Sequence, residues 1–291
     1  MVNPRYVGPP YREDVSLSLV GTAAALARAC HPEPTLAVTA LAAVLALSAG
    51  RGLGSAWVAA AVLCGQLSVG WGNDYVDRDR DRESGRSGKP VASGRIEPGL
   101  VRRAAWVAFV LAVVLSLASG PAATAVHVFA LLVAHLYNAG LKATALSVVP
   151  YAVAFAQLPA FITLGLRHPH LPPWWAVAAA GLIGAGAHFT QTLPDLQLDA
   201  HAGMRGLPHR LGASVSLASA GLFLAAGSLS AALGPGGRVP DIALAALALS
   251  LSLVLLVLVA GALRRYSAAF HLTIAAAAAA LATFVFNGRP L

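Results

Sequence analysis

The segment Ile242–Leu263 has the sequence IALAALALSLSLVLLVLVAGAL and decides the class of fold to which the chain belongs. Its 22 residues include no charged side chain, and its only polar members are Ser250 and Ser252. A helix needs about 20 apolar residues to cross the hydrocarbon core of a bilayer. The segment therefore predicts a transmembrane helix.

The rest of the chain repeats this pattern. Of its 291 residues, 57% are hydrophobic and 11% are charged, whereas a soluble domain carries about 25% charged residues. This deficit argues against the alternative of a soluble helical protein with a very large core. We predict an all-α polytopic membrane protein with nine transmembrane helices, at residues 35–50, 54–74, 100–119, 121–138, 146–166, 173–193, 211–233, 240–263 and 267–286.

The chain is predicted to divide into a cytoplasmic N-terminal arm, residues 1–34, and a transmembrane domain, residues 35–291. The arm is expected to contain a short amphipathic helix at about 15–30. The sequence His31-Pro32-Glu33-Pro34 follows it. Proline lacks a backbone N–H and disfavours helix in the residue before it, so we expect the chain to break here, before the first span.

Basic residues predict the orientation of the chain in the membrane. Of the 20 lysines and arginines, 16 lie in the arm and in or beside the loops that follow spans two, four, six and eight. Because basic residues collect on the cytoplasmic side of membrane proteins, we expect these parts in the cytoplasm. The net charge of +8 thus indicates topology rather than nucleic-acid binding. Only two of the 20 basic residues are lysines, and this bias, together with the abundant Ala and Gly, is typical of a GC-rich bacterial genome. We therefore expect a multi-pass protein of a bacterial cell membrane.

A first acidic motif, NDYVDRDRD at residues 73–81, begins where the second predicted span ends. On a helix with 100° per residue, one arc of about 100° contains four oxygen-bearing side chains, those of Asn73, Asp74, Asp77 and Asp81. Asp79 points the opposite way. Mg²⁺ typically binds one or two carboxylates together with substrate phosphates, so the arc suits a metal–phosphate site. The alternative is a solvated helix whose Asp and Arg side chains neutralise each other.

A second acidic motif consists of Asp195 and Asp199, which are four residues apart and share a helical face. His188 lies two turns back on that face, and Pro194 should kink the helix. With nine spans, the two motifs lie at the same face of the membrane. We therefore predict that two facing acidic helices hold a Mg²⁺-diphosphate between them.

Four sequence motifs resemble those of the UbiA superfamily of intramembrane prenyltransferases. NDYVDRDRD is similar to the family's NDxxDxxxD signature, and DLQLD followed by GMRGLPHRLG at 203–212 resembles its second motif and GxRxLPxRLG tail. SGKPVASGRI at 87–96 resembles the K/R-P-L/I-x-S-G-x-I segment, and Tyr137-Asn138 with Lys142 resembles the Tyr/Lys region after span four. The sequence departs from the family at Thr192, where many members have aspartate, and at His31, where many have an arginine that helps to bind an acidic aromatic acceptor.

The resemblance implies nine helices around a central cavity that opens sideways to lipid. It also implies a prenyltransferase that uses Mg²⁺ to ionise an isoprenoid diphosphate and passes the prenyl group to a small lipophilic or aromatic acceptor. The implied metal ligands are Asn73, Asp74, Asp77, Asp81, Asp195 and Asp199. The implied catalytic residues are Asp77, Asp81, Asp195, Asp199 and Lys142. The implied substrate-binding residues are Lys89, Lys142, Arg205, Tyr137, Arg78 and His188, and Arg86 is a further candidate.

Several alternatives stay open at this point. A UbiA-type terpene cyclase would ionise the same diphosphate and quench the cation internally, and a transporter or structural membrane protein would not ionise it. Lys142 could instead serve topology, and His188 could be an acceptor-side base or a packed polar residue. Aromatic faces stabilise cations, and the aromatic side chains expected near the cavity are those of Trp71, Tyr75, Tyr137, Tyr151, Phe155 and Phe189.

Overall fold

The computed structural model describes residues 18–288 and Leu291, and within them every regular element is helical. There are eleven α-helices in this part of the chain: α1 (Leu19–Ala29), α2 (Pro32–Ser48), α3 (Gly54–Glu83), α4 (Pro98–Ser116), α5 (Pro121–Ala139), α6 (Val148–Thr163), α7 (Trp174–Thr192), α8 (Leu196–His201), α9 (Leu207–Leu233), α10 (Asp241–Ala262) and α11 (Tyr266–Asn287). The first part of the predicted N-terminal arm, residues 1–17, and the basic residue Arg289 lie outside the described residues.

Each of the nine predicted spans falls on a helix, but the count of nine membrane crossings is not confirmed. Among the described residues, six helices are long and apolar enough to cross a membrane: α3, α4 with the 3₁₀ turn that follows it, α5, α9, α10 and α11. The pair α1 and α2, bent by 69°, gives a seventh if it is one broken span. The apolar helix α6 is shorter, with 16 residues.

The chain breaks before the first span, as predicted, but the helix begins at residue 32, three residues earlier than the predicted start at residue 35. His31 has a left-handed backbone (φ 55°), and α2 begins at Pro32. The first residues of a helix have no intrahelical partner for their N–H groups. Proline is therefore tolerated there, and both Pro32 and Pro34 lie in the first turn of α2 rather than before it.

The helix that carries the second acidic motif is interrupted near Pro194, as the sequence predicted. Helix α7 ends at Thr192, a 3₁₀ turn covers Leu193–Asp195, and the short helix α8 carries Asp199. After a loop, α9 begins at Leu207 and has a break at Gly212, whose φ of 77° favours glycine. These breaks turn the chain back across one end of the helix bundle.

Contacts among loops and helix ends define the two ends of the bundle. At one end the Arg51 guanidinium donates to the Ser119 hydroxyl at 2.6 Å, and the Asn287 amide donates to the Ala232 carbonyl. At the other end the loop after α3 meets α8. Helices α6 and α7 pack extensively against each other, as do α7 and α9. The acidic motifs lie at the end opposite Arg51.

Candidate active site

A cavity of about 280 Å³ lies between the helices and reaches the end that carries both acidic motifs. Its walls come from α2, α3, α5, α6, α7 and α11, and the loop residues beside α8 and α9 close its polar end. Away from the motifs the lining becomes apolar, with side chains such as Leu41, Phe155 and Ile183. The cavity is therefore polar at one end and apolar at the other.

The first acidic motif is divided between the cavity and the interior. Asn73 and Asp77 line the cavity, and Asp77 is buried. The Asp77 carboxylate forms ion pairs with Lys142 and, at 2.7 Å, with Arg80. The side-chain amide of Asn73 donates to the Asn138 amide oxygen at 3.1 Å. Asp79 points away, with its side chain 68% exposed, as the helical angles predicted.

Asp74 and Asp81 lie beneath the loop that follows α3 and are almost fully buried. The Lys89 ammonium lies 3.3 Å from Asp74 and 2.9 Å from Asp81. Burial by itself would lower the pKa of Lys89, but the two carboxylates outweigh it and hold that pKa above its usual value. Lys89 thus stays charged and fixes the loop over the first motif, since an unpaired buried carboxylate would be costly.

Arg86 joins the two acidic motifs. Its guanidinium lies 3.5 Å from Asp81, 3.5 Å from Asp195 and 2.8 Å from Asp199. Asp195 is half exposed, while the Asp199 side chain is 17% exposed and lies 3.6 Å from the His209 ring. Burial would raise the pKa of Asp199, but the nearby His209 and Arg86 lower it below its usual value. Asp199 is therefore ionised at neutral pH.

Lys142 lies in the turn between α5 and α6 and is buried at the polar end of the cavity. Its burial lowers the pKa of the ammonium group, and its ion pair with Asp77 only partly offsets that effect. A buried ammonium binds an anionic ligand favourably, because the negative charge compensates for the hydration that the ammonium loses on burial. The position suits the role in diphosphate binding that the resemblance implies.

Aromatic and polar rings line the middle of the cavity. The Tyr137 ring makes edge contacts with the rings of Tyr151 and His188, at centroid distances of 5.2 and 5.7 Å. The Tyr151 hydroxyl donates to the Gln191 amide oxygen at 2.7 Å, and one ring nitrogen of His188 lies 3.1 Å from the Ser147 hydroxyl. Tyr137 and His188 therefore lie next to the cavity, between its polar and apolar ends.

Some residues singled out by the sequence lie elsewhere. Arg78 pairs with Asp79 and stacks over Tyr75, and Arg205 is exposed; neither is among the residues that line the cavity. Three of the six aromatic candidates also lie outside the lining, namely Trp71, Tyr75 and Phe189. The Trp71 indole donates to the Leu26 carbonyl at 2.8 Å and anchors α1 to α3 instead.

The structure adds two basic groups that were not among the sequence candidates, and it gives the candidate Arg86 a more central position than the sequence indicated. Arg80 and His209 line the cavity, and Arg86 carries the link between the motifs. Arg80 lies seven residues after Asn73, which is almost two helical turns, so the helical angles place it on the same face as the predicted metal ligands. His209 occupies the variable position of the GLPHRLG segment. The position of Arg86, in a loop, could not be read from a helical pattern.

The side chains present suit Mg²⁺ when it binds together with a phosphate. Among the described residues no group of three or more His, Cys, Asp or Glu side chains could hold a metal ion by itself. Four oxygen donors nevertheless face the cavity, those of Asn73, Asp77, Asp195 and Asp199. Since Mg²⁺ usually takes one or two carboxylates and completes its shell with phosphate oxygens and water, this set fits a metal that arrives with its substrate.

The sequence matches the UbiA prenyltransferase family over residues 16–288. The chain belongs to the UbiA prenyltransferase family. It is therefore a membrane-embedded prenyltransferase, and the family resemblance inferred from the acidic motifs is confirmed. No protein with a curated function matches the sequence.

Solved structures of UbiA homologues share the fold of this chain. A UbiA homologue from Aeropyrum pernix K1, in its apo form, superposes with a TM-score of 0.70 at 22% identity, over 87% of this chain and 97% of the other. A digeranylgeranylglyceryl phosphate synthase gives 0.65 at 16% identity, over 92% and 98%. A UbiA homologue from Archaeoglobus fulgidus bound to DMAPP and Mg²⁺ gives 0.65 at 17% identity, over 88% and 98%. The predicted all-α UbiA-like fold is therefore confirmed.

Proposed function

We propose that this UbiA family member ionises an isoprenoid diphosphate in the presence of Mg²⁺ and transfers the prenyl group to a small lipophilic or aromatic acceptor. The observation that carries the proposal is the position of Arg86, which holds carboxylates of both acidic motifs together at the polar end of one cavity. The remainder of that cavity is apolar and suits an isoprenoid tail. The Archaeoglobus fulgidus homologues bound to DMAPP or GPP with Mg²⁺ support this substrate class.

The charges of the polar end suit a metal diphosphate. Asp74, Asp77, Asp81, Asp195 and Asp199 are paired with four basic side chains, those of Arg80, Arg86, Lys89 and Lys142. A bound Mg²⁺-diphosphate offers cations to the carboxylates and anionic oxygens to the basic groups. It can therefore replace these ion pairs without leaving a buried charge unpaired.

The residues have separate roles in the proposed reaction. Asn73, Asp77, Asp195 and Asp199 face the cavity and would hold the metal, with Asp81 beneath them. When bound, Mg²⁺ would neutralise the negative charge that develops on the departing diphosphate. Lys142, Arg80 and Lys89 add hydrogen bonds to its oxygens.

The chemical step breaks the bond between the first prenyl carbon and the diphosphate oxygen, and the electron pair leaves with that oxygen. The Tyr137 and Tyr151 rings line the cavity, and in the proposed reaction their faces would stabilise the allylic cation. They also exclude water, which would otherwise capture the cation. The acceptor then bonds to the first prenyl carbon and gives up a proton to the released diphosphate.

The experiment that tests the proposal measures diphosphate release by the purified protein in detergent, with Mg²⁺ and farnesyl or geranylgeranyl diphosphate. We expect release that requires Mg²⁺ and is abolished by EDTA. Asp77→Asn and Asp195→Asn should each lower the rate by at least about 100-fold, because each removes a charge that binds the metal. Asp79→Asn is the matched control, since it removes an equally charged but exposed side chain of the same helix.

The outcomes separate the possible functions. Retained activity in Asp77→Asn or Asp195→Asn, with helicity and gel-filtration profile unchanged, would remove that residue from the site. Diphosphate release without any acceptor, accompanied by a hydrocarbon or alcohol product, would indicate a terpene cyclase. No release with any donor would contradict both enzymatic readings.

A further inference from the structure

A second cavity of about 100 Å³ adjoins the main cavity and is lined almost entirely by apolar side chains. It extends toward the Arg51 end of the bundle and finishes at Trp175 and Phe284, whose rings are 5.6 Å apart. Five side chains line both cavities: Val38, Leu41, Phe155, Ile183 and Ala277. These shared residues form a neck between the two spaces.

Close helix packing fixes two side chains of the neck, those of Phe155 and Ile183. Gly184 of α7 lies against α6, and a Cβ atom there would come within 2.7 Å of Phe155 and 2.8 Å of the Tyr151 carbonyl. Gly227 of α9 lies against Ile183, where a Cβ atom would come within 2.8 Å. Neither glycine position has room for a side chain. Phe155 and Ile183 therefore each pack directly against the backbone of a neighbouring helix, which fixes them beside the passage.

The length of the passage can be read along α7. From Gln191, at the polar end, to Ile183 the helix rises about 12 Å, and from Gln191 to Trp175 it rises about 24 Å. With carbon–carbon bonds of about 1.5 Å, one extended five-carbon isoprene unit is roughly 5 Å long. The main cavity therefore has the length of two complete units, and the two cavities together have the length of four complete units with about 4 Å to spare.

We propose that the donor is a twenty-carbon isoprenoid diphosphate whose tail passes between Phe155 and Ile183 and ends against Trp175 and Phe284. The inference rests on the proposed function, because the diphosphate must be held at the acidic motifs for the tail to run this way. A ten-carbon tail ends at the neck and leaves the deeper cavity empty, which forfeits the van der Waals contacts of its lining. A twenty-carbon tail makes those contacts.

Donor preference is the first test. Diphosphate release is measured for the wild-type protein with dimethylallyl, geranyl, farnesyl and geranylgeranyl diphosphates under the same conditions. We expect kcat/KM to rise with tail length and to be at least tenfold higher for the twenty-carbon donor than for the ten-carbon donor. An equal or higher value for the five- or ten-carbon donor would overturn the proposal while leaving the proposed function intact.

Two variants test the passage by different means. Ala180→Phe places a ring in the deeper cavity, and Ile183→Trp narrows the neck. Each should lower the ratio of kcat/KM for the twenty-carbon donor to that for the ten-carbon donor by at least tenfold. Ala248→Phe is the matched control, because Ala248 is exposed on α10 and lines neither cavity. An unchanged ratio in both variants, with the proteins folded, would overturn the proposal.

Photocrosslinking tests the tail position without turnover. A geranylgeranyl diphosphate analogue with a diazirine at the far end of its tail should label peptides that contain Trp175 or Phe284. Labelling confined to the polar end, for instance at Phe270, would overturn the proposal. This readout distinguishes failure of the tail assignment from failure of the proposed function, since a protein that releases no diphosphate still reports where the tail lies.

Discussion

At the scale of single residues, Arg86 is the side chain whose position matters most for the site. It lies in the loop after α3 and reaches Asp81 of the first acidic motif together with Asp195 and Asp199 of the second. A guanidinium is planar, remains charged and presents five N–H donors. It can therefore hold several carboxylates at once, whereas the ammonium of lysine acts as a point charge.

We predict that Arg86→Lys lowers kcat/KM for diphosphate release by about tenfold, which corresponds to about 1.4 kcal/mol. Arg86→Met should lower it further, because it leaves three carboxylates at the polar end without this partner. Steady-state kinetics with geranylgeranyl diphosphate measures both. The matched control is Arg103→Lys, which makes the same change at an exposed arginine far from the cavity. If Arg86→Lys and Arg103→Lys behave alike, Arg86 does not position the motifs.

At the scale of elements, α7 combines two tasks within its C-terminal half, which lines the cavity and also packs against neighbouring helices. Its C-terminal half presents His188 and Gln191 to the cavity. Its glycines allow neighbouring helices to approach: Gly184 faces α6, and Gly186 faces Leu224 of α9. Small residues of this kind let helices pack closely in lipid, where no hydrophobic driving force brings them together.

We predict that Gly184→Val lowers the midpoint of thermal unfolding in detergent by several degrees. The new side chain would overlap Phe155, and overpacking of this kind costs about 1–3 kcal/mol. Differential scanning fluorimetry or circular dichroism measures the shift. Ala245→Val is the control, because it adds a β-branched residue to a helix at an exposed position of α10. A shift no larger than that of the control would show that α6 and α7 tolerate separation at this point.

At the scale of the whole molecule, orientation in the membrane follows from the arrangement of loops. Five helices that the sequence predicts to span the membrane, α4, α5, α6, α7 and α9, separate the loop after α3 from the loop before α10. If all five cross the membrane, the odd number of crossings places these two loops on opposite sides. The basic residues of the first loop favour the cytoplasm for the acidic motifs.

We predict that a cysteine at Ser87→Cys is protected from a membrane-impermeant maleimide in intact cells, while a cysteine at Arg238→Cys is labelled. Both positions are exposed. Replacement of Cys30 and Cys64 by alanine provides the background, and permeabilised cells provide the control in which both sites react. Labelling of both positions from the same side would mean that one of the five helices does not cross the membrane.

The sequence by itself determined the fold class and the two acidic motifs, since both depend on local pattern. Runs such as Ile242–Leu263 predict helices in lipid, and the spacing of Asn73, Asp77 and Asp79 indicates which side chains share a helical face. The nine predicted segments all fall on helices. The exact start of α2 was displaced because proline is tolerated in the first turn of a helix.

Only the tertiary structure decided which basic side chain pairs with which carboxylate. Arg86 and Lys89 reach their carboxylates through the fold of the loop after α3, and Arg78 and Arg205 lie outside the cavity although their motifs flank it. The neck at Phe155 exists because α7 packs closely against α6 at Gly184, and α9 packs closely against α7 at Gly227. Helical periodicity gives the face of a residue on its own helix, but the neighbour of that face is set by packing between helices distant in sequence.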